Sequence, residues 1–320
     1  MLNFLKNWTL PIAMLAGALG YFVFANFTFL EPTKPFVNTF IAYITPFLIF
    51  AQLLLTFCKV DWRELMPSPW HGWLLLFQVV SASALAALLI FIPMDGSYRE
   101  VFEAAMVCLI CPTATAAAVI TGKLGGSASS LTTYTLLSNI LAAIAVPLIF
   151  PLVEPHADIT FFTAFLKILG KVFPLLLFPF FLALFFRYVL PKVHHFLLGF
   201  HDLAFYLWGM ALAIVTGQTV KSLMTSDVPG SVQILIALAG FITCALQFYL
   251  GKRIGTIYKD RISAGQALGQ KNTVLAIWMA YTYLDPVSSV GPGSYVLWQN
   301  IFNSWQLWKK RKKEETINKQ

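Results

Sequence analysis

Lys271 lies in a stretch, Ser263 to Tyr283 (SAGQALGQKNTVLAIWMAYTY), whose second half is apolar enough to sit in lipid. Read as a helix rising ~1.5 Å per residue, the stretch carries Lys271 roughly 12 Å in from Ser263, well inside a hydrocarbon core about 30 Å thick. A cation at that depth costs on the order of 2.5–3.5 kcal/mol on insertion scales. Gly269, Gln270 and Asn272 surround it with flexible backbone and amide groups that a plain anchor does not need. The chemistry open to such a group is electrostatic: it attracts an anion or does the work of a bound cation. A lysine snorkelling to one surface, or a structural ion pair, is the competing reading.

A second stretch has the same irregular character. In CPTATAAAVITGKLGG, starting at Cys111, Pro112 cannot donate its amide and pushes Cys111 away from helical geometry, while Thr113, Ala114, Thr115, Ala116, Ala117 and Ala118 let another backbone approach closely. A helix broken here exposes amides at the start of its second half, which suit an anion, and carbonyls at the end of its first, which suit a cation. A simple proline kink is the alternative if the stretch is taken alone.

Other chemistries find little support. Cys58, Cys108, Cys111 and Cys244 lie in apolar surroundings and form no ligand-spaced cluster with His71, His156, His194, His195 or His201, so neither disulfides nor a metal centre is expected. An intramembrane enzyme would need paired carboxylates, or a nucleophile beside a base. Glu103 reads as alone in its span and the histidines fall near helix ends, so no enzymatic activity is expected. A channel or sensor would need rings of like charge or a regulatory domain, and neither is present.

The elements that must position these groups are membrane spans. Hydrophobic residues make up 58% of the 320 and charged ones 11%, where a soluble globule carries about a quarter charged. The expected class is an all-α polytopic membrane protein. Apolar runs between turn and charge signals predict ten spans, at 9–29, 36–58, 69–93, 100–122, 127–152, 173–191, 199–220, 231–251, 263–282 and 286–308. The start, MLNFLKNW, runs into an apolar stretch without a small-residue cleavage site and reads as the first span. Residues 159–172, with Lys167 and Lys171 among Phe and Leu, read as an interfacial amphipathic helix leading into the sixth span. The division is 1–158 for a first five-helix repeat, 159–308 for the interfacial helix and a second, inverted repeat, and 309–320 for a basic tail. Each half places its irregular stretch in its fourth span, which is the sequence signature of a secondary transporter's binding site.

Basic residues fix the orientation. Of the 22 lysines and arginines, this topology puts Lys34, Arg99, Lys167, Lys171 and Lys221 on one face and Lys271 inside. The remainder, including Lys6, Lys259, Lys319 and the run Lys309 to Lys313, share the face of both termini, which is therefore cytoplasmic. The protein is expected to be multi-pass in the cell's inner (plasma) membrane. The net charge of +8 follows from this anchoring pattern and does not call for nucleic acid.

At these residues the chain resembles the bile acid:sodium symporter family in its ten-helix bacterial form, over nearly its whole length. The resemblance rests on Gln78 in FQVVSAS, CPTATAAA with Gly126, Pro147, GQKN at Gly269 to Asn272, PGSY at Pro292 to Tyr295, and Gln299-Asn300-Ile301. It implies two inverted five-helix repeats, a core domain in which spans four and nine break and cross, a separate panel domain, and transport of organic solutes, often anions, by alternating access. It also implies that Thr113, Thr115, Lys271, Asn272 and Asn300 face the solute. The ion site implied by the family falls on Gln78, Ala117, Ala118, Thr135, Gln266, Ala267, Gln270 and Lys271. Here the chain departs from the pattern: a Ser-Asn pair is replaced by Ala117 and Ala118, a Glu by Ala267, and a Gln by Lys271.

Sodium wants several oxygen ligands and competes poorly beside an ammonium group. The expected function is therefore transport of a small organic, anionic solute without sodium, Lys271 supplying the missing charge. Sodium-coupled symport on the same fold is the alternative within the class, and a channel or sensor is the alternative from a different class. Proton coupling and plain exchange both stay open. No cofactor is expected, and the partners are the solute and the lipid bilayer around a monomer.

Overall fold

The computed structural model describes residues 2–317 apart from 62, 64, 95, 156–158 and 201. His156, His201 and Lys319 thus lie outside the described residues, as does the end of the 309–320 tail. The described residues form thirteen α-helices. In order these are α1 (Leu2–Asn26), α2 (Lys34–Cys58), α3 (Pro69–Phe91), α4 (Gly96–Ile110), α5 (Ala117–Leu124), α6 (Ala128–Val153) and α7 (Phe161–Tyr188). There follow α8 (Pro191–Leu198), α9 (Leu203–Thr225), α10 (Gly230–Ile257), α11 (Arg261–Gly269), α12 (Thr273–Tyr283) and α13 (Val290–Ile317). Short 3-10 turns at Thr28–Thr33 and Pro286–Ser289 precede α2 and α13.

Six helical stretches are long and apolar enough to cross a membrane, namely Thr28–Cys58, α3, α6, α7, α9 and α10. Their outward faces are greasy: Phe91 keeps 80% of its surface exposed and Phe36 74%. A soluble protein rarely exposes so much contiguous apolar surface, so these faces are lipid-facing. The chain is a polytopic membrane protein.

Two boundaries differ from the sequence expectation. No separate interfacial helix occupies 159–172: α7 runs unbroken from Phe161 to Tyr188, capped at its start by the Thr160 hydroxyl on the Thr163 amide at 3.3 Å. Pro174 lies within it, but a proline removes one ladder bond and the apolar sequence on both sides carries the helix through. The last helix also runs past its predicted end at 308: α13 continues to Ile317, into the basic segment. Lys309 and Lys312 sit over the Trp305 and Trp308 rings at 5.3 Å, as amphipathic side chains do at a membrane boundary.

Helix packing places the site. α1 and α2 both pack on α9, and α2 also packs on α7. α10 packs on α4, α11 and α13, and α3 packs on α4 and α6. The α1–α9 contact depends on glycine, since a Cβ at Gly17 would fall onto the Ala213 carbonyl. At the start of α3, the Ser68 amide donates to His71 Nδ1 at 3.0 Å while Nε2 meets the Ser130 hydroxyl at 3.2 Å. That histidine is occupied as a helix cap.

Candidate functional site

The fourth predicted span is two helices, α4 and α5, and the ninth is also two, α11 and α12. Between α4 and α5 the chain is extended, and Thr113 pairs with Lys271 in an isolated antiparallel bridge. The Ala114 amide donates to the Gln270 carbonyl and the Asn272 amide to the Pro112 carbonyl, each at 2.9 Å. The two breaks therefore satisfy one another's backbone, as buried irregular chain at membrane depth requires. Pro112 and Gly269 explain why the breaks fall here. Pro112 has no amide for the helical ladder, and a Cβ at Gly269 would collide with the Phe248 ring. Asn272 then starts α12 by accepting from the Leu275 amide at 3.3 Å.

A broken helix leaves carbonyls without partners at the end of its first half, and side chains from other helices take them. Lys271 Nζ donates to the Leu109 carbonyl at 3.3 Å, and Gln78 Nε2 to those of Ile110 and Cys111 at 2.7 and 3.0 Å. Gln247 Nε2 reaches the Cys108 carbonyl at 3.2 Å. At the end of α11 the Thr113 hydroxyl donates to the Ala267 carbonyl at 2.5 Å and the Tyr295 hydroxyl to that of Gly269 at 2.8 Å. Lys271 is 1% exposed, so its ammonium is fully buried at the negative end of the α4 dipole. Its own amide donates to Gln299 Oε1 at 2.9 Å.

The predicted site residues separate into groups. Thr113, Lys271 and Asn272 meet in the bridge, with Gln78 capping the same helix end; Gln78 Oε1 also accepts from the Tyr134 hydroxyl at 3.2 Å. Thr115 is buried on the turn before α5. Asn300 is bonded back to the Val296 carbonyl of its own helix at 2.7 Å. Of the positions expected to form an ion site, the three alanines bring no side-chain oxygen. Ala117 and Ala267 belong to an apolar cluster with Trp70, Leu131, Tyr134 and Leu268, and Ala118 packs against it. The Thr135 hydroxyl is turned to the Leu131 carbonyl at 3.0 Å. Packed methyl groups do not fit sodium, which takes oxygen ligands. Two nearby amides are less settled: both polar atoms of Gln266 and the Oε1 of Gln270 are buried without a protein partner among the described residues.

A cavity of about 1320 Å³ is not built from these residues. It lies among α1, α2, α7 and α9, with Trp278, Tyr281 and Thr282 from the far end of α12 on its wall, and aromatic side chains such as Tyr21, Phe24 and Phe47 line it. Lys34, Lys171 and Lys221 reach it from three different elements. Sequence reasoning used these lysines as orientation signals, and Lys171 also as a mark of an interfacial helix, and missed their convergence. The available signal was their presence on a face that the basic residues otherwise avoid.

A second omission concerns Glu103, which the sequence reading took as alone. It is paired with Arg99 at 3.2 Å, accepts from the Ser288 hydroxyl at 2.9 Å and from the Asp285 amide at 3.4 Å. The four cysteines are free and buried, and among the described residues no group of three or more His, Cys, Asp or Glu side chains could hold a metal ion.

No family model matches the chain. It is 26% identical over 281 residues to the uncharacterized sodium-dependent transporter YocS of Bacillus subtilis (strain 168), the match covering 86% of this chain and 85% of that protein. The likeness is to a transporter and covers most of both chains.

Proposed function

We propose that this chain is a secondary transporter that moves a small organic anion by alternating access and does so without sodium. The observation that carries the reading is the Lys271 ammonium, buried at the crossing of two broken helices and held on the α4 carbonyl end. In transporters, such interrupted helices form substrate and ion sites. Lys271 supplies there the positive charge a bound cation would bring, and the apolar packing of Ala117 and Ala267 takes the place of its ligands. Ten spans follow when α4 with α5, and α11 with α12, each count as one crossing beside α1 and α13. They divide into inverted repeats over 1–158 and 159–308, with spans four and nine in a core that moves against a panel.

The testing experiment is uptake into liposomes by the purified chain, using a panel of carboxylates, sulfonates and neutral solutes in sodium, potassium or choline. Saturable uptake of anions that survives replacement of sodium is expected. Linear, non-saturating flux would identify a channel instead. Sodium-coupled symport is favoured by one observation, the unpartnered amides of Gln266 and Gln270, and the name of the Bacillus relative points the same way. Collapse of uptake in potassium and choline would establish it and remove the surrogate role of Lys271.

The proposal places both termini in the cytoplasm of a cell with this protein in its inner membrane, because basic residues resist translocation. Single cysteines at Asn3, Lys259 and Thr316 in a cysteine-free background should resist an impermeant thiol reagent in intact cells. Labelling at Thr316 would reverse the orientation. The four native cysteines are buried; Cys111 donates from Sγ to the Asn272 carbonyl at 3.0 Å, so serine, which keeps a donor, is its replacement.

A further inference from the structure

A smaller cavity of about 530 Å³ adjoins the large one, and Lys221, Thr225 and Tyr281 line both. Its remaining wall is acidic: Glu100 from α4, Asp227 from the loop after α9, and Asp285 from the turn after α12. Glu100 is the informative member. It is 9% exposed, and its Oε2 has no hydrogen-bond partner among the described residues.

The nearest guanidinium does not serve it. Arg99 pairs with Glu103 at 3.2 Å and with Glu154 at 3.4 Å, and donates to the carbonyls of Leu89 at 2.9 Å and of Val153. Asp285 uses Oδ1 to accept from the Val287 amide at 2.8 Å, which leaves its charge uncompensated. Three carboxylates thus face one lysine on this wall. A buried carboxylate without a partner is costly, and a bound cation removes that cost.

Two facts choose the cation. The described residues offer no cluster arranged for a metal, and the space is far larger than a bare ion needs. An organic ammonium fits, because its N–H donors meet Glu100, Asp285 and the Tyr281 ring while its carbon body extends into the apolar large cavity.

We infer that the small cavity is an ammonium subsite and that the transported solute is a zwitterion, its amine held by Glu100 and Asp285 and its acid end drawn to Lys34 and Lys171. This rests on the transporter reading above and narrows its solute from an anion to an amino acid-like molecule with an apolar middle.

The test is binding to the full chain in detergent micelles, followed by calorimetry, with three probe series running from butyl to dodecyl: n-alkyl carboxylates, ω-amino carboxylates and n-alkylamines. At the best length the ω-amino carboxylate should bind at least about tenfold more tightly than the plain carboxylate and than the alkylamine, the size expected of a charge-assisted contact in a partly buried site. In Glu100→Gln the ratio between amino carboxylate and carboxylate should fall to near unity. Asp285→Asn, at the other carboxylate placed on the amine, is the second variant; it keeps the Oδ1 that accepts from the Val287 amide and should also lower the ratio. Equal affinities in the wild type, or a ratio that survives both substitutions, overturns the inference. Alkylamines binding as tightly as amino carboxylates also overturns it, because the acid end then contributes nothing. If carboxylates are bound and taken up but show no gain from an amine, the zwitterion inference fails while the anion transporter stands. If no probe binds and no anion is taken up, both fail.

Discussion

Lys271→Gln in purified, folded protein should reduce anion uptake into liposomes by at least about tenfold, since hydrogen bonds and contacts to a buried charged group are worth about 1.5–3 kcal/mol. Lys271→Met should do the same. The substitution has a second consequence that separates the two roles open to this residue. As a helix cap, Lys271 satisfies the Leu109 carbonyl, and losing it would lower the unfolding midpoint in detergent while surviving molecules transported normally. As the charge that stands at the crossing in place of an ion, it matters to transport even where the fold is intact. Glutamine keeps an amide donor, though on a shorter stem, and it removes the cost of burying an ammonium. The Lys271 backbone amide, bonded to Gln299, is unchanged by either substitution. The measurement is initial uptake rate beside thermal stability for each variant. Wild-type uptake by Lys271→Gln would return Lys271 to a structural cap.

The breaks were legible because their causes are local. Pro112 lacks an amide whatever surrounds it, and GQKN interrupts an apolar run that cannot otherwise afford a lysine. What the sequence did not show was how the breaks satisfy each other. The pairing of Pro112 with Asn272 and of Ala114 with Gln270 joins residues more than 150 positions apart, and no periodicity encodes such a register. Arg99 and Glu103 lie four apart on one helix, a spacing at which opposite charges meet, so that pair was readable and was overlooked; Ser288 and Asp285 were not. The unbroken α7 was misjudged because Lys167 and Lys171 were weighed as polar signals for an interfacial helix, whereas both are exposed on a long helix. The cavity was beyond reach for a different reason. Its shape depends on how α1, α2, α7 and α9 lean together, and side-chain chemistry alone does not set that angle.

Lys34→Gln, Lys171→Gln and Lys221→Gln combined should slow uptake of a carboxylate or sulfonate by about tenfold to a hundredfold at low ionic strength. The three ammonium groups come from the first residue of α2, the first half of α7 and the last turns of α9, and they converge on one cavity walled by apolar and aromatic side chains. A cleft lined by one sign of charge with low-dielectric walls concentrates counter-ions, and the gain in association rate is about 10- to 1000-fold, falling steeply with salt. Lys171 and Lys221 are exposed and Lys34 is partly exposed, so screening must act on all three: the Debye length falls from about 30 Å at 0.01 M to about 8 Å at 0.15 M. The deficit of the triple variant should therefore shrink as salt is raised, until the two proteins approach one another. Lys34 and Lys221 should contribute less than Lys171, because Glu31 sits 3.2 Å from Lys34 Nζ and Glu100, Asp227 and Asp285 share the adjoining wall with Lys221. Lys271, buried and distant from bulk ions, should show no such salt dependence, so the two classes of lysine are separable in one assay. A neutral solute carried by the same protein should enter at the same rate in the wild type and the triple variant. Equal anion uptake at low salt, or a deficit that does not change with salt, would mean that these lysines do not steer the solute and that the cavity's charge serves only to orient the chain in the membrane.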